Sequence, residues 1–74
     1  MAEIVMRVRF ISGGQIDVLY EEHDTVETEQ VIEHAVATFA QDSGVLRARH
    51  GDRLVVLFGR GVAGVEVAPR GAVL

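Results

Sequence analysis

The first two elements predicted from the sequence are β-strands, because apolar and polar residues alternate along both of them. The first segment runs over 4–11, with strict alternation around Arg7 and Arg9, and the second runs over 15–20. A period of two is typical of strands that bury one face and leave the other in solvent. A serine and two glycines separate the segments, so they are predicted to form a β-hairpin.

The loop of this hairpin follows from the register that gives each face one character. A three-residue loop over 12–14 places the apolar side chains opposite one another and pairs Arg9 with Asp17 on the other face. A two-residue loop would mix charged and apolar residues on both faces. Three-residue loops need a residue in the left-handed region, and Gly14 is predicted to supply it.

A helix is predicted over about 25–42, after the first hairpin. Asp24 is the expected N-cap, with Glu27 at the third helical position in a capping-box arrangement. Gly44 is expected to end the helix in the left-handed conformation. The predicted buried stripe follows helical spacing and consists of Ile32, Ala35, Val36, Phe39 and Ala40.

A second hairpin is predicted from strands over 45–50 and 53–58, joined by a Gly-Asp loop at 51–52. Glycine at the first of two loop positions favours a type II′ turn. The resulting register sets Arg47 opposite Val56. A three-residue loop would instead set two arginines opposite each other, which is unfavourable.

These elements, with a short fifth strand over 62–68, indicate a single α+β domain of order ββαββ(β) spanning 1–74, with a short C-terminal tail over 69–74. The segment 53–58 is apolar on both faces, which is typical of a central strand. A right-handed crossover through the helix makes the second and third strands parallel. We therefore expect one helix packed on a mixed four- to five-stranded sheet with the β-grasp-like order 2-1-4-3. An antiparallel meander is the alternative.

Composition restricts the class of protein. The chain has 74 residues, a formal net charge of −4 and no cysteine, so disulfides and thiolate metal sites are excluded. The longest apolar run, 54–58, is far shorter than a membrane span, and the first ten residues lack the apolar core of a signal peptide. A cytoplasmic protein without membrane association is expected.

One segment matches a cofactor-binding pattern. Residues 59–64 fit the dinucleotide fingerprint G-x-G-x-x-G and follow an apolar strand. The fingerprint requires a helix to begin at its third glycine, so that the helix N-terminus faces the pyrophosphate. The residues after Gly64 are strand-like and are stopped by Pro69. We therefore interpret the segment as a turn between strands and expect no cofactor.

No metal site or catalytic group is predicted. His23, His34 and His50 have the spacing of no compact metal motif. The acidic residues around Asp24 lack the pattern of a calcium-binding loop. Neither of the serines, which lie in predicted turns, has an assignable base, so we expect a non-enzymatic protein.

Arginines at every second position indicate a candidate interaction surface. They point away from the helix on the first and third strands and, in the expected sheet, flank an apolar stripe of the fourth strand. An apolar stripe with a polar rim is typical of an association surface. The candidate interface residues are Arg7, Arg9, Arg47, Arg49, Leu54, Val56 and Phe58.

The expected function is a protein-binding module that self-associates through this sheet face as a homo-oligomer, in the simplest case a dimer, or that binds another protein. A domain of 74 residues without disulfides has a small core, which self-association commonly supplements. A nucleic-acid-binding regulator that uses the arginines is the first alternative, although a net charge of −4 disfavours it. A small enzyme or ligand-binding subunit is the second alternative.

Overall fold

The helix and the strands follow the order expected from the sequence patterns. The computed structural model describes residues 2–24 and 27–68, so the tail over 69–74 lies outside the described residues. In chain order the elements are β1 (Ala2–Phe10), β2 (Gln15–Glu22), α1 (Thr28–Phe39), β3 (Val45–His50), β4 (Arg53–Phe58), a 3-10 turn (Gly59–Gly61) and β5 (Val62–Ala68). The predicted α+β class and the order ββαββ(β) are confirmed, and the fifth strand is present.

The five strands form one antiparallel sheet in the order β4-β3-β2-β1-β5. The expected mixed sheet with the order 2-1-4-3 is therefore wrong, and the first four strands follow the antiparallel alternative. β3 runs against β2, with Leu19 opposite Arg49. The place beside β1 that was expected for β4 belongs to β5, whose Val65 and Val67 pack against the core next to β1.

β4 is an edge strand, although its residues are apolar on both faces. Its helix-facing Leu57 is 3% exposed, whereas Leu54 on the opposite side is 65% exposed. The prediction of a central strand covered by protein on both faces is therefore wrong, because the fold covers only the face of β4 that points toward the core. The exposed half of this apolar strand lies on the outer face, by which we mean the sheet face opposite α1.

The sheet curls around α1. Its two edge strands, β4 and β5, are joined by the short turn Gly59–Gly61. The four Cα–Cα steps from Phe58 to Val62 span at most about 15 Å, so the two edges must approach each other at this turn. Backbone hydrogen bonds hold the turn in place: the Gly59 N–H donates to the Gly44 carbonyl (2.8 Å), and the Ile11 N–H donates to the Gly61 carbonyl (3.0 Å).

The loop of the first hairpin has the predicted length of three residues but occupies 11–13 instead of 12–14. The Phe10 N–H donates to the Gly14 carbonyl at 2.8 Å, and the Gly13 N–H donates to the Phe10 carbonyl at 2.9 Å. Gly13, with a φ of 105°, takes the left-handed position predicted for Gly14. The assignment of that role to Gly14 is therefore wrong.

This displacement changes which residues of the two strands face each other. Asp17 lies opposite Arg7 and not, as expected, opposite Arg9, which pairs with Gln15. The register is shifted by two positions, and a shift of two keeps every side chain on its own face. The alternation of apolar and polar residues is therefore satisfied by both registers.

The second hairpin matches its prediction. β3 and β4 have the predicted bounds, and Arg47 lies opposite Val56. Gly51 has a φ of 63°, and no described residue other than glycine has a positive φ. A positive φ at only the first loop position is the pattern of a type II′ turn.

α1 begins later than predicted. Its N-cap is Glu27 and not Asp24, and the Glu27 carbonyl accepts a hydrogen bond from the Val31 N–H at 3.3 Å. β2 continues to Glu22, past its predicted end. The additional strand residues displace the start of the helix, so the predicted capping box at Asp24 is wrong.

The buried stripe of α1 is rotated relative to the predicted one. Val36 is 53% exposed and Ala40 is also exposed, so their predicted burial is wrong. Ile32, Ala35 and Phe39 face the sheet as predicted, and Val31 takes the place of Val36 and Ala40 beside them. The members of the observed stripe pack on the core and are Val31, Ile32, Ala35 and Phe39.

Gly44 follows the helix but does not cap it in the left-handed conformation, because the described glycines with positive φ are Gly13 and Gly51. The predicted role is wrong, and a different constraint requires glycine there. A Cβ on Gly44 would lie 1.8 Å from the Thr38 carbonyl oxygen. The missing side chain lets the start of β3 pass directly against the last turn of α1.

Candidate interaction surface

The structure places the seven predicted interface residues on the outer face, but in two separate groups. The cross-strand pairs assign Arg7 and Arg9 of β1 to this face together with the members on β3 and β4. Because β2 and β3 lie between β1 and β4, these two arginines do not flank the apolar stripe. The expectation that all four arginines border the stripe is therefore wrong, and only those of β3 do so.

Arg7 binds Asp17 across the β1–β2 pair. Its Nε lies 2.9 Å from Asp17 Oδ1 and its Nη2 lies 3.2 Å from Oδ2, a bidentate contact. The hydrogen bond with Arg7 holds the pKa of Asp17 below its ordinary value, and the same contact raises the pKa of Arg7. The charge of Arg7 is therefore already matched within the protomer.

Two other arginines of the outer face are also paired. Arg9 donates from Nε to Glu66 on β5 at 2.9 Å and from Nη1 to Gln15 on β2 at 3.1 Å. Arg49 forms an ion pair with Glu21 on β2. The charges of Arg9 and Arg49 are therefore also matched within the chain.

Arg47 differs from these three arginines. Within residues 2–24 and 27–68 it has no ion pair or hydrogen bond from its side chain. It lies opposite Val56 on the outer face of the β3–β4 hairpin. Its guanidinium group is therefore the one on β1 or β3 whose donors are open to a partner.

Exposed apolar side chains surround Arg47. They form what we call the apolar patch, which spans the outer face of β3 and β4 and is 41–65% exposed at each position. Its members are Val45, Leu54, Val56 and Phe58. Val45 was not among the predicted site residues, although its predicted place opposite Phe58 was the signal that could have included it.

Phe58 has one further contact at the end of the patch. The guanidinium carbon of Arg60 lies 5.4 Å from the centre of the Phe58 ring, within the range of a cation–π interaction. The ring nevertheless remains about half exposed, at 48%. The patch thus ends in an aromatic side chain beside a positive charge, a combination frequent in protein interfaces.

A second feature is an open groove between the end of β2 and the start of α1, lined by Glu22, His23, Asp24, Gln30 and His34. Glu22 Oε2 accepts a hydrogen bond from Tyr20 Oη at 2.6 Å, and Glu22 Oε1 lies 2.7 Å from His34 Nδ1. The bond from Tyr20 keeps the pKa of Glu22 below its usual range. Burial, and next the bond to Glu22, raise the pKa of Tyr20 to about 12.

This groove brings together two of the three histidines. His50 lies elsewhere, with its Nδ1 2.7 Å from the Asp17 carbonyl oxygen. Within the described ranges, no group of three or more His, Asp or Glu side chains is arranged to hold a metal ion. The contacts of Glu22 connect β2 with α1, and no nucleophile accompanies them in the groove lining.

The glycine-containing segment 59–64 is a turn and the start of a strand. Gly59–Gly61 forms a 3-10 turn, and Val62 begins β5, so no helix starts at Gly64. The interpretation of the segment as a connection between strands is confirmed. Gly59 also lies against the end of α1, since a Cβ on it would be 2.5 Å from the Gln41 carbonyl oxygen.

Comparison of the chain with protein-family models, with curated proteins and with solved structures found no match. Among the residues that the structure describes, no helix has the length and apolar character needed to cross a bilayer.

Proposed function

We propose that this chain is a non-enzymatic protein-binding domain that self-associates through the apolar patch on the outer face of β3 and β4, and that it acts in the cytoplasm. The observation that carries the proposal is the contiguity of four exposed apolar side chains on one hairpin of a small domain. Contiguous apolar surface of this kind is a feature of association sites.

The arrangement of charge supports a protein partner over a nucleic acid. Nucleic-acid surfaces need arginines whose donors are available to phosphates. On the outer face Arg7, Arg9 and Arg49 each contact a carboxylate of the same chain. What remains for a partner is apolar surface with Arg47 in its middle, which favours a protein interface.

The test compares two valines of equal exposure on the same face. Val56 in the apolar patch and Val5 on β1 are each 41% exposed. We expect Val56→Asp to shift the wild-type oligomer to monomer in sedimentation velocity, because a carboxylate would be buried among apolar groups. Val5→Asp, the matched control, should leave the oligomer intact, and circular dichroism should show both variants folded.

Two results would overturn the proposal. One is a wild-type protein that stays monomeric at high micromolar concentration. The other is equal loss of association in the Val5 and Val56 variants, which would place the contact outside the apolar patch. Retention of the wild-type protein on a DNA or RNA column, lost with added salt, would favour the nucleic-acid alternative.

A further inference from the structure

We infer that the partner at the apolar patch is a second copy of this chain, bound by β4 pairing antiparallel with β4 of the second copy about a two-fold axis at Val56. This inference rests on the proposed self-association and specifies its geometry. The two sheets would join into one continuous sheet, with the two patches side by side on its outer face.

The free edge of β4 presents the backbone of alternate residues. The Gly59 N–H bonds to Gly44 on the β3 side, and bonding toward one neighbour recurs at every second residue of an antiparallel strand. Arg53, Val55 and Leu57 therefore bond to β3. The N–H and C=O groups of Leu54, Val56 and Phe58 point away from β3, toward a side on which no described strand pairs with β4.

The other edge of the sheet, β5, carries the features that hinder strand addition. Its pairing with β1 contains a bulge at Arg9 and Phe10, and the charged Glu66 lies at its centre. Bulges and charges are the usual protection of natural edge strands. In β4 the stretch between Arg53 and Gly59 is entirely apolar. Of the two edges, β4 is thus the one open to pairing.

The register follows from two requirements. Each residue whose backbone N–H and C=O point away from β3 must lie opposite another such residue of the second copy. The outer faces of the two copies must also lie on the same side of the joined sheet. A two-fold axis at Val56 meets both along the whole strand, setting Val56 opposite Val56 and Leu54 opposite Phe58 of the second copy. An axis at Val55 would use only part of the edge and set Phe58 opposite the turn.

Charges at the two ends of β4 complement each other in this register. Asp52 precedes the strand and Arg60 follows it, so the register brings the end of β4 that carries Asp52 beside the end that carries Arg60 in the second copy. Within residues 2–24 and 27–68, Asp52 has no ion pair. Arg53 alternates to the helix side, since it pairs with His50. The oppositely charged ends of β4 thus meet twice, once at each end of the paired strands.

Single cysteines test the register directly, because the natural chain has none. Residues opposite each other in a hydrogen-bonded pair have Cα atoms about 5.5 Å apart, within the range of a disulfide. We expect Val56→Cys to form a covalent dimer under mild oxidation. Leu54→Cys is the control, because Leu54 is more exposed, at 65% against 41%, yet lies about 13 Å from Leu54 of the second copy.

A mixture of Leu54→Cys and Phe58→Cys proteins completes the design, since it should cross-link preferentially as the heterodimer. Faster cross-linking of Leu54→Cys than of Val56→Cys would overturn the inference, because cross-linking by random collision is faster at the more exposed position. If wild type is oligomeric but Val56→Cys does not cross-link, the β4 pairing fails while the proposed function stands. A monomeric wild type refutes both.

Amide hydrogen exchange gives a second, independent readout without any substitution. We expect the amides of Leu54, Val56 and Phe58 to become more protected as protein concentration rises. The amides of Val55 and Leu57, bonded to β3, should be protected at all concentrations. Association through the side chains of the outer face alone would leave the three edge amides exchanging at the monomer rate, which contradicts β4 pairing.

Discussion

At the scale of single residues, Gly13 shows how one backbone angle selects a hairpin register. Its φ of 105° lies in a region that side chains with a Cβ rarely adopt. Gly14 has no positive φ, and a Cβ on it would only touch Phe10 Cδ2 at 3.8 Å. The two adjacent glycines therefore have different physical roles.

The ranking of two substitutions checks this assignment. Gly13→Ala should lower the free energy of unfolding by about 1 kcal/mol or more, because alanine is strained at positive φ. Gly14→Ala should cost less. Denaturant melts of the two variants measure the difference, and a larger loss for Gly14→Ala would contradict the observed loop.

The same residues show how far the sequence alone determines the hairpin. Alternation around Arg7 and Arg9 correctly assigned both faces of β1. It did not select between registers two positions apart, since each keeps the faces and each gives an ion pair with Asp17. The choice depends on which glycine takes positive φ, and two consecutive glycines are equivalent in a sequence pattern.

At the scale of elements, the contacts of Glu22 join β2 to α1. Its carboxylate meets Tyr20 Oη on the strand and His34 Nδ1 on the helix. The raised pKa of Tyr20 means that folding favours its neutral phenol. The contribution of Tyr20 to the free energy of unfolding is complete below the pKa of 10 of the unfolded chain, and it is lost as the pH rises toward about 12.

Alkaline titration isolates this contact, because the chain has one tyrosine and neither lysine nor cysteine. Phenolate absorbance should report a pKa of about 12 in the folded protein, and the unfolding free energy should fall between pH 10 and 12. Glu22→Gln should lower the pKa of Tyr20 only in part, because burial is the larger cause. Titration of wild-type Tyr20 near pH 10 would contradict the contact.

Element positions were more predictable than element neighbours. The bounds of β3 and β4 and their register follow from the Gly51 turn and the alternation of apolar residues. The place of β4 at the edge did not follow, because a fully apolar strand has the same pattern whether protein or solvent covers its second face. Which strand lies beside β1 depends on pairing between distant segments, and local periodicity carries no signal for that.

At the scale of the whole molecule, the two faces of β4 should respond differently to the same substitution. Leu57 is 3% exposed in the core, whereas the neighbouring Val56 is 41% exposed. Leu57→Asp buries an unpaired carboxylate at a cost of several kcal/mol, comparable to the whole stability of a small domain, about 5 kcal/mol. We expect it to unfold the protein, while Val56→Asp stays folded as a monomer.

Circular dichroism and thermal melts measure this difference, with the wild-type protein as reference. Equal destabilisation by both substitutions would show that Val56 is buried in the protomer, so that the apolar patch would not be a surface feature.

For the candidate site, the sequence identified the right face because alternation determines faces. It overestimated the number of free arginines, because the ion pairs Arg9–Glu66 and Arg49–Glu21 join residues far apart in the chain.

The position of β1 between β2 and β5 has a consequence for how the chain folds. One of its neighbours, β2, follows after a short loop, but the other, β5, comes from the far end of the described chain, with Val5 opposite Ala68. Contacts between distant segments carry a larger loop-closure cost and slow folding. Until β5 docks, Met6 and Val8, both 0% exposed in the finished fold, border an open sheet edge. During that interval the edge is accessible to β5 of any neighbouring molecule, which makes dilute solution the favourable condition for refolding.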